Sequence, residues 1–173
     1  SLAGLSNVQT LGMEDGGTMG LYISGCDALE SLVGLGSLQS VAGDLTVWST
    51  SPVLASLSAL SSLTSVGGSI DISVSTPTDL SGLEGITGSV AGDLRITNGN
   101  SLEDISALSG ITDVQGDVFL SSLPHLSSVN LSNLQSVDGE FRLNNCDDVA
   151  NIDPLTQLTS VGGDLELDGN QDL

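Results

Sequence analysis

Acidic residues at nearly constant intervals are the first candidates for chemistry in this sequence. Each stands beside a glycine and just before a short apolar alternation, and the last four are Asp93, Asp117, Glu140 and Asp164. Their intervals of 24, 23 and 24 residues would stack them about 4.8 Å apart if each interval were one turn of a repeating fold. Stacked carboxylates repel one another and suit a hard cation. We therefore consider two roles for them, a weak calcium site or simple turn residues.

The residue types needed for catalysis are scarce and scattered. His125 is the sole histidine, and both cysteines lie on other coils, so the sequence gives no support for a metal triad or a Ser-His-Asp set around it. Cys26 and Cys146 are 120 residues apart, which is five repeats, or about 24 Å of stacked strands, and too far for a disulfide. We expect both thiols to be buried and inert. The sequence predicts a protein that is not an enzyme and needs no cofactor beyond calcium.

Aromatic residues make up only 2% of the chain, so the position of each is informative. Tyr22, Trp48 and Phe119 take the outward positions of apolar alternations, between residues that face the interior. Outward aromatic side chains on a strand face are typical contacts for sugar rings or for a protein partner. We predict that these three residues form the ligand-binding surface.

These candidates are positioned by a repeat of 23–25 residues that accounts for nearly the whole chain. A valine precedes most of the turns, and a pair of apolar residues with one residue between them follows each turn. Such pairs have the period of a strand. The seven pairs are Leu21/Ile23, Leu45/Val47, Ile70/Ile72, Leu94/Ile96, Val118/Leu120, Phe141/Leu143 and Leu165/Leu167. The pattern predicts about seven stacked coils that each contribute a strand to a parallel sheet.

The part of each repeat before the turn has a different period. Its apolar residues are spaced by three, as at Leu57, Leu60 and Leu63, which predicts 3₁₀-like segments or corners with one inward residue each. The Gly-Gly-Asp before a strand predicts a turn in which glycine supplies a positive φ. Extra residues at 12–20, 49–52 and 75–79 are interpreted as surface loops or as part of a binding face.

The charge of the chain limits its partners. Its net charge is −20, from 22 acidic residues against two arginines, so the surface repels nucleic acid and anionic membranes. No run of 18 apolar residues is present, and we predict no membrane insertion. The repeat places Arg95 beside Asp71 and Arg142 beside Glu166 on neighbouring coils, which predicts two ion pairs between coils.

The repeat unit is Leu-x-x-Leu-x-x-Leu-x-Ser-Val-x-Gly-Asp-Leu-x-Ile-x-x-Asn-x-x-Leu. It is similar to that of the receptor L-domain family, the leucine-rich-repeat relatives found in growth-factor receptor ectodomains, fungal wall proteins and bacterial surface proteins. The resemblance covers the whole chain, and residues 94–102 and 165–173 match best. It implies a right-handed parallel β-helix or solenoid, extracellular or on a cell surface, that serves adhesion or ligand binding. The asparagine of the unit is present only at Asn170, and the cysteine framework of the animal receptors is missing.

The sequence thus predicts an all-β protein, a parallel β-helix or solenoid of about seven coils in a single domain spanning residues 1–173. Both ends fall inside the repeat, so we interpret the chain as part of a longer array or as a unit whose ends another chain covers. The leading hypothesis is a secreted or cell-surface recognition or adhesion module that presents its strand face to a protein or glycan. The alternative is a structural unit whose uncapped ends stack copies end to end in a filament or surface layer. Asn130 begins the one glycosylation sequon, usable only in a secreted eukaryotic protein.

Overall fold

Short parallel strands recur in every repeat and stack into a β-solenoid of about six turns, about 24 residues apart, with almost no helix. The computed structural model describes residues 2–12, 19–49 and 53–173. The strands in chain order are β1 (Thr10–Leu11), β2 (Leu21–Ser24), β3 (Ser40–Val41), β4 (Leu45–Ser49), β5 (Ser65–Val66), β6 (Ile70–Val74), β7 (Gly88–Val90), β8 (Leu94–Thr97), β9 (Ile111–Val114), β10 (Val118–Ser121), β11 (Ser136–Val137), β12 (Phe141–Asn144), β13 (Ser160–Val161) and β14 (Leu165–Asp168). The predicted all-β solenoid is confirmed.

One seven-stranded sheet runs the length of the described part of the chain, in the order β14-β12-β10-β8-β6-β4-β2. Every neighbouring pair is parallel, and the apolar pairs align as predicted, for example Leu21 with Leu45 and Ile72 with Ile96. The valine positions form two smaller parallel sheets, ordered β1-β3-β5 and β13-β11-β9-β7. Each coil therefore contributes one long and one short strand, and the register is fixed by which residues face inward.

The spacing of three corresponds to short 3₁₀ segments and turns, as predicted. Single-turn 3₁₀ helices span Ala3–Leu5, Ser58–Leu60, Ser106–Leu108 and Asp153–Leu155. In the second of them the backbone N–H of Leu60 donates to the carbonyl of Leu57, and that of Leu63 donates to Leu60, both at 2.8 Å. Three residues per turn bring every third side chain to the interior, and all three leucines are fully buried. No helix among the described residues is long and apolar enough to cross a membrane.

The core is a column of aliphatic side chains. Among the described residues, the buried hydrophobic set consists of leucine, isoleucine and valine together with Phe141 and Cys146. Burial raises the pKa of the Cys146 thiol to about 11. The expectation that Cys26 is buried too is wrong, because Cys26 is exposed. It follows β2, the edge strand of the large sheet, whereas Cys146 follows β12, which has a strand on both sides.

The glycines before the strands serve close stacking of coils rather than a special backbone conformation. A Cβ atom at Gly116 would overlap the Oδ1 atom of Asp93, and one at Gly139 would overlap Oδ1 of Asp117. The prediction of a positive φ in these turns is wrong, since neither glycine has one. Among the described residues, the non-glycine residues with positive φ instead follow the strands of the large sheet, as Asn98 does with 54°. The left-handed residue there turns the chain out of the sheet.

Candidate functional site

The outward side of the seven-stranded sheet, here called the strand face, carries the predicted ligand-binding residues. Along β6, β8, β10 and β12, buried residues alternate with partly exposed ones, so the second and fourth residues of each strand face outward. The register aligns these positions into two columns across the coils. The first column is Tyr22, Thr46, Asp71, Arg95, Phe119, Arg142 and Glu166, and the second is Ser24, Trp48, Ser73, Thr97, Ser121, Asn144 and Asp168.

The acidic residues before the strands form a hydrogen-bonded ladder that joins successive coils. Asp44 Oδ1 accepts from the backbone N–H of Ser69 at 2.8 Å, and Ser69 Oγ accepts from that of Asp93 at 3.0 Å. Asp93 Oδ1 then accepts from Asp117, and Asp117 Oδ1 from Glu140, both at 2.8 Å. The side chains of Asp44, Ser69, Asp93 and Asp117 each accept from a backbone donor of the next coil, so these turn residues also join the coils. We call these five residues the carboxylate ladder.

The charges of the carboxylate ladder are partly compensated by arginine. Arg95 Nη2 lies 2.8 Å from Asp93 Oδ2, and Arg142 Nη2 lies 2.6 Å from Glu140 Oε2. Burial raises the pKa of Asp93, but the N–H of Asp117 and the Arg95 guanidinium together outweigh it, so this pKa lies below its ordinary value. The ionised form of Asp93 is therefore the one that the fold stabilises.

The predicted calcium site stays a prediction. Among the described residues no group of three or more histidine, cysteine or acidic side chains is arranged to hold a metal ion. Its four residues, Asp93, Asp117, Glu140 and Asp164, lie one per coil, and the first two use Oδ1 as a backbone acceptor. A melting temperature that rises in millimolar calcium more than in sodium chloride of equal ionic strength would support the site, and equal melting temperatures would contradict it.

One of the two predicted ion pairs is wrong. Asp71 and Arg95 are register neighbours on β6 and β8, but Arg95 pairs with Asp93, which lies just before β8. Asp71 Oδ1 instead accepts a hydrogen bond from the indole Nε1 of Trp48 at 2.9 Å. Asp93, two residues before Arg95, lies closer to the guanidinium than Asp71 on the neighbouring coil does. Asp71 is already hydrogen-bonded to the Trp48 indole.

The second predicted ion pair is confirmed. Arg142 Nε lies 3.2 Å from Glu166 Oε2 on the next coil, without the alignment of a hydrogen bond. Because Arg142 also contacts Glu140, which lies just before β12, its guanidinium bridges two carboxylates. Both arginines of the chain are thus paired with carboxylates.

All three predicted aromatic residues lie on the strand face, in different settings. Tyr22 is 60% exposed, and its hydroxyl donates to Asp44 Oδ2 at 2.9 Å. This hydrogen bond raises the pKa of Tyr22. Phe119 is only partly exposed, with the Arg95 guanidinium 4.3 Å from its ring centroid and that of Arg142 at 5.5 Å. Its ring holds the two cations in place by cation–π contact, and less of it is free for a ligand.

Trp48 borders an open depression on the strand face. Its side chain is 49% exposed, and the depression has a volume of about 410 Å³. We call it the Trp48 depression, and its lining residues are Trp48, Asp71, Ser73, Arg95, Thr97 and Asn98. Its volume falls in the range of about 300–1,000 Å³ usual for small-molecule sites. Tyr22 and Phe119 do not line it, so the structure separates the three predicted residues.

The polar residues of the Trp48 depression were not identified as site residues from the sequence, although a signal for them was present. Ser73 and Thr97 follow Trp48 in the second outward column, and Asp71 and Arg95 are adjacent in the first. A search for polar residues within two coils of an outward aromatic would have found these four. Asn98 lies after the strand, where the alternation ends, and it lines the depression from a left-handed backbone conformation that the alternation does not predict.

Several polar atoms of the Trp48 depression have no partner among the described residues. Asp71 Oδ1 accepts from the indole, and Asp71 Oδ2 has no partner among the described residues. Arg95 Nε and Nη2 donate to Asp93, and Arg95 Nη1 has no hydrogen-bond partner among the described residues. Asn98 Nδ2 donates to Ser73 Oγ at 3.2 Å and to Thr97 Oγ1 at 3.3 Å, which leaves its Oδ1. Donors and acceptors are therefore both available beside one aromatic ring.

Tyr22 belongs to a second, apolar pocket at the β2 edge of the sheet. This pocket of about 210 Å³ is lined by five leucines of the first two coils together with Tyr22, Ile23 and Cys26. At the opposite edge, Leu165 and Leu167 of β14 are 55% and 40% exposed. The two edges of the sheet thus both present apolar side chains that the interior coils bury.

The predicted binding loops are only partly described. Residues 13–18 of the first excursion and 50–52 of the second lie outside the described residues. In the third, residues 75–79, Asp79 pairs with Asp104 of the next coil, so this segment continues the stacking of the coils.

Comparison with protein families, with characterised proteins and with solved structures found no match to this chain. The case for a function therefore rests on the residues and the geometry described above.

Proposed function

We propose that this protein is a secreted or cell-surface recognition or adhesion module that binds a protein or glycan through the Trp48 depression. The observation that carries the proposal is the half-exposed Trp48 side chain, whose Nε1 is fixed by Asp71. A fixed, exposed aromatic side chain loses little conformational freedom on binding. Indole side chains of this kind are common binding anchors.

The negative charge of the chain supports a protein or glycan partner rather than a polyanion. With a net charge of −20 and no lysine, the long-range field repels nucleic acid and anionic lipid. The two arginines on the strand face are both engaged with carboxylates. The partners proposed for this face are therefore a protein or a glycan, and nucleic acid and anionic lipid are excluded from the proposal.

The proposed location outside the cell is supported by the repeat sequence. Its unit is similar to that of the receptor L-domain family, whose members are surface and extracellular proteins. The high acidic charge suits salty or calcium-rich surroundings, in which ions screen the repulsion between carboxylates. No role in catalysis is proposed.

Retention on immobilised surfaces tests the proposal. A panel of neutral polysaccharides, acidic polysaccharides, collagen and fibronectin is presented to the chain and to Trp48→Ala. We expect at least one surface to retain the chain, and Trp48→Ala to bind it about tenfold or more weakly. Val33→Ala is the matched control, because Val33 is an apolar residue 67% exposed away from the strand face, and it should bind like the parent chain. Absence of retention on every surface would overturn the proposal.

A folding control accompanies this experiment. Trp48→Ala should cost little stability because the side chain is half exposed. Leu94→Ala, at a fully buried position, should cost about 2–5 kcal/mol through the cavity it leaves. If Trp48→Ala destabilised the chain as much as Leu94→Ala, Trp48 would be a core residue and the binding surface would be misassigned.

The alternative function is a structural unit that stacks end to end. It is favoured by the exposed Leu165, Leu167 and Leu173 at one edge of the solenoid and by the apolar pocket beside Tyr22 at the other. Unpaired edge strands are templates for further pairing. Sedimentation and electron microscopy of residues 1–173 test it. Fibres that disappear in Leu167→Lys would support stacking, and monodisperse particles at high concentration would contradict it.

A further inference from the structure

We infer that the Trp48 depression binds a neutral glycan, with a pyranose ring of the glycan against the Trp48 indole. This inference rests on the proposed recognition function and assigns the chemical class of its ligand. It depends on three properties of the depression, which are its single aromatic surface, its mixture of hydrogen-bonding groups and its charge.

The aromatic surface suits a sugar ring. An aromatic face carries partial negative charge, and the C–H groups on one side of a pyranose carry partial positive charge, so the two surfaces attract each other. Trp48 is held by its hydrogen bond of 2.9 Å to Asp71. The indole orientation is thereby fixed before a ligand arrives, which lowers the entropy cost of binding.

The polar rim suits the hydroxyl groups of a sugar. Hydroxyls both donate and accept hydrogen bonds, and the rim offers both kinds of partner. Asp71 Oδ2 and Asn98 Oδ1 are free to accept among the described residues, and Arg95 Nη1 is free to donate. Arg95 is itself immobilised between Asp93 and the Phe119 ring, so its free donor has a defined position.

The charge of the depression favours a neutral sugar over an acidic one. Arg95 is its single cation, and its charge is already compensated by Asp93 at 2.8 Å. Asp71 adds a negative charge within the lining. Together with the net charge of −20, these carboxylates repel a uronate or sulfate group.

The lining also favours a glycan over a protein surface. Hot spots of protein interfaces are enriched in Trp, Tyr and Arg and poor in Ser and Thr. Here Ser73 and Thr97 lie in the lining beside Trp48, and the Arg95 guanidinium is already engaged by Asp93 and the Phe119 ring. One apolar surface surrounded by small polar groups matches the alternating C–H and O–H surface of a sugar.

A fluorescence titration of the intact chain tests the inference. The probes are short neutral oligosaccharides of glucose, mannose, xylose and N-acetylglucosamine, and acidic oligosaccharides of galacturonate and mannuronate. Trp48 is the sole tryptophan, so its emission reports this depression alone. We expect a saturable change with at least one neutral oligosaccharide and none with the acidic ones at the same concentrations.

Two variants test the polar rim without disturbing the fold. Asn98→Gly removes the amide at a backbone position with a φ of 54°, which glycine adopts without strain. Asp71→Asn keeps a side-chain oxygen for the Trp48 indole and removes the charge. Each should weaken binding of the neutral oligosaccharide about tenfold, since a hydrogen-bond partner of a sugar hydroxyl is lost or weakened. Val33→Ala should bind like the parent chain.

The outcomes separate the inference from the proposed function. If no oligosaccharide changes the emission and the chain is still retained on collagen or fibronectin, the glycan inference fails and the recognition function survives. If an acidic oligosaccharide binds more tightly than every neutral one, or if Asn98→Gly and Asp71→Asn both bind normally, the inference is also overturned. If neither the oligosaccharides nor the surface panel gives binding, both proposals fail.

Discussion

Asp93 accepts a hydrogen bond from the backbone N–H of Asp117 through its Oδ1 atom, at 2.8 Å, across the boundary between two coils. The same relationship joins Asp44 to Ser69 and Asp117 to Glu140. An aspartate at the turn therefore binds the coil that follows it. The strand face keeps its register partly through these bonds, and the Trp48 depression depends on that register because its residues come from three coils.

The carboxylate ladder should contribute measurably to stability. Asp93→Ala removes the acceptor of the Asp117 N–H and the partner of Arg95, and we expect a loss of about 1–3 kcal/mol in the free energy of unfolding. Asp164→Ala is the matched control, because Asp164 is exposed beside the edge strand β14, and it should change stability by less than about 0.5 kcal/mol. Urea denaturation of both variants measures the difference, and equal effects would contradict the role of the ladder.

The contribution of Asp93 should also depend on pH in a defined direction. Its pKa in the folded protein lies below the ordinary value, so its stabilisation is present at neutral pH and is lost as the pH falls through the folded pKa. Asp93→Asn, which cannot ionise, should melt below the parent chain at pH 7, and this gap should shrink as the pH falls below about 4. Melting temperatures across this range measure it. A gap that is constant or grows in acid would show that the charge of Asp93 is not what stabilises the fold.

The turn glycines should be intolerant of a methyl group even though their φ angles are ordinary. Gly116→Ala would place Cβ against Asp93 Oδ1 and the Gly92 backbone, and we expect it to cost about 1–3 kcal/mol through overpacking. Gly12→Ala is the control, since a Cβ there meets no atom of the described residues within 4 Å. Urea denaturation of the pair measures the contrast. If both variants were equally stable, the coils would be less closely stacked than described.

The two cysteines should differ in reactivity. Cys26 is exposed and should react with an alkylating reagent in the folded protein. Cys146 is buried, and burial raises its pKa to about 11, so little thiolate is present and the thiol should react only after unfolding. Intact-mass measurement should show one label before denaturation and two after it. Two labels on the folded protein, or an internal disulfide, would contradict this arrangement.

The strand registers were predictable because each depends on local alternation within one repeat. Leu45 and Ile70 hold the same inward position in successive coils, so their pairing follows once the period is known. The partners of the long polar side chains were not predictable in the same way. Arg95 has an aspartate on each side, and it pairs with Asp93, whereas Asp71 accepts from the Trp48 indole on β4.

Two further differences between the sequence predictions and the structure are due to contacts between neighbouring coils. Glycine in a turn commonly supplies a positive φ, but Gly116 is needed because the Asp93 carboxylate of the preceding coil occupies the space. Cys26 and Cys146 have the same position in the repeat, and only the number of coils packed beside them differs. A repeat pattern specifies the position within a coil, whereas burial also depends on what lies on both sides.

The central claim, that Trp48 lies in the contact surface with the ligand, is tested most directly by acrylamide quenching of its fluorescence. The side chain is 49% exposed in the free protein and is the sole tryptophan of the chain, so quenching should be efficient without a ligand. We expect the quenching constant to fall when the chain is saturated with the polysaccharide or protein that retains it, because the ligand covers the indole. A quenching constant that stays the same at saturation would show that binding occurs elsewhere, and it would contradict the account.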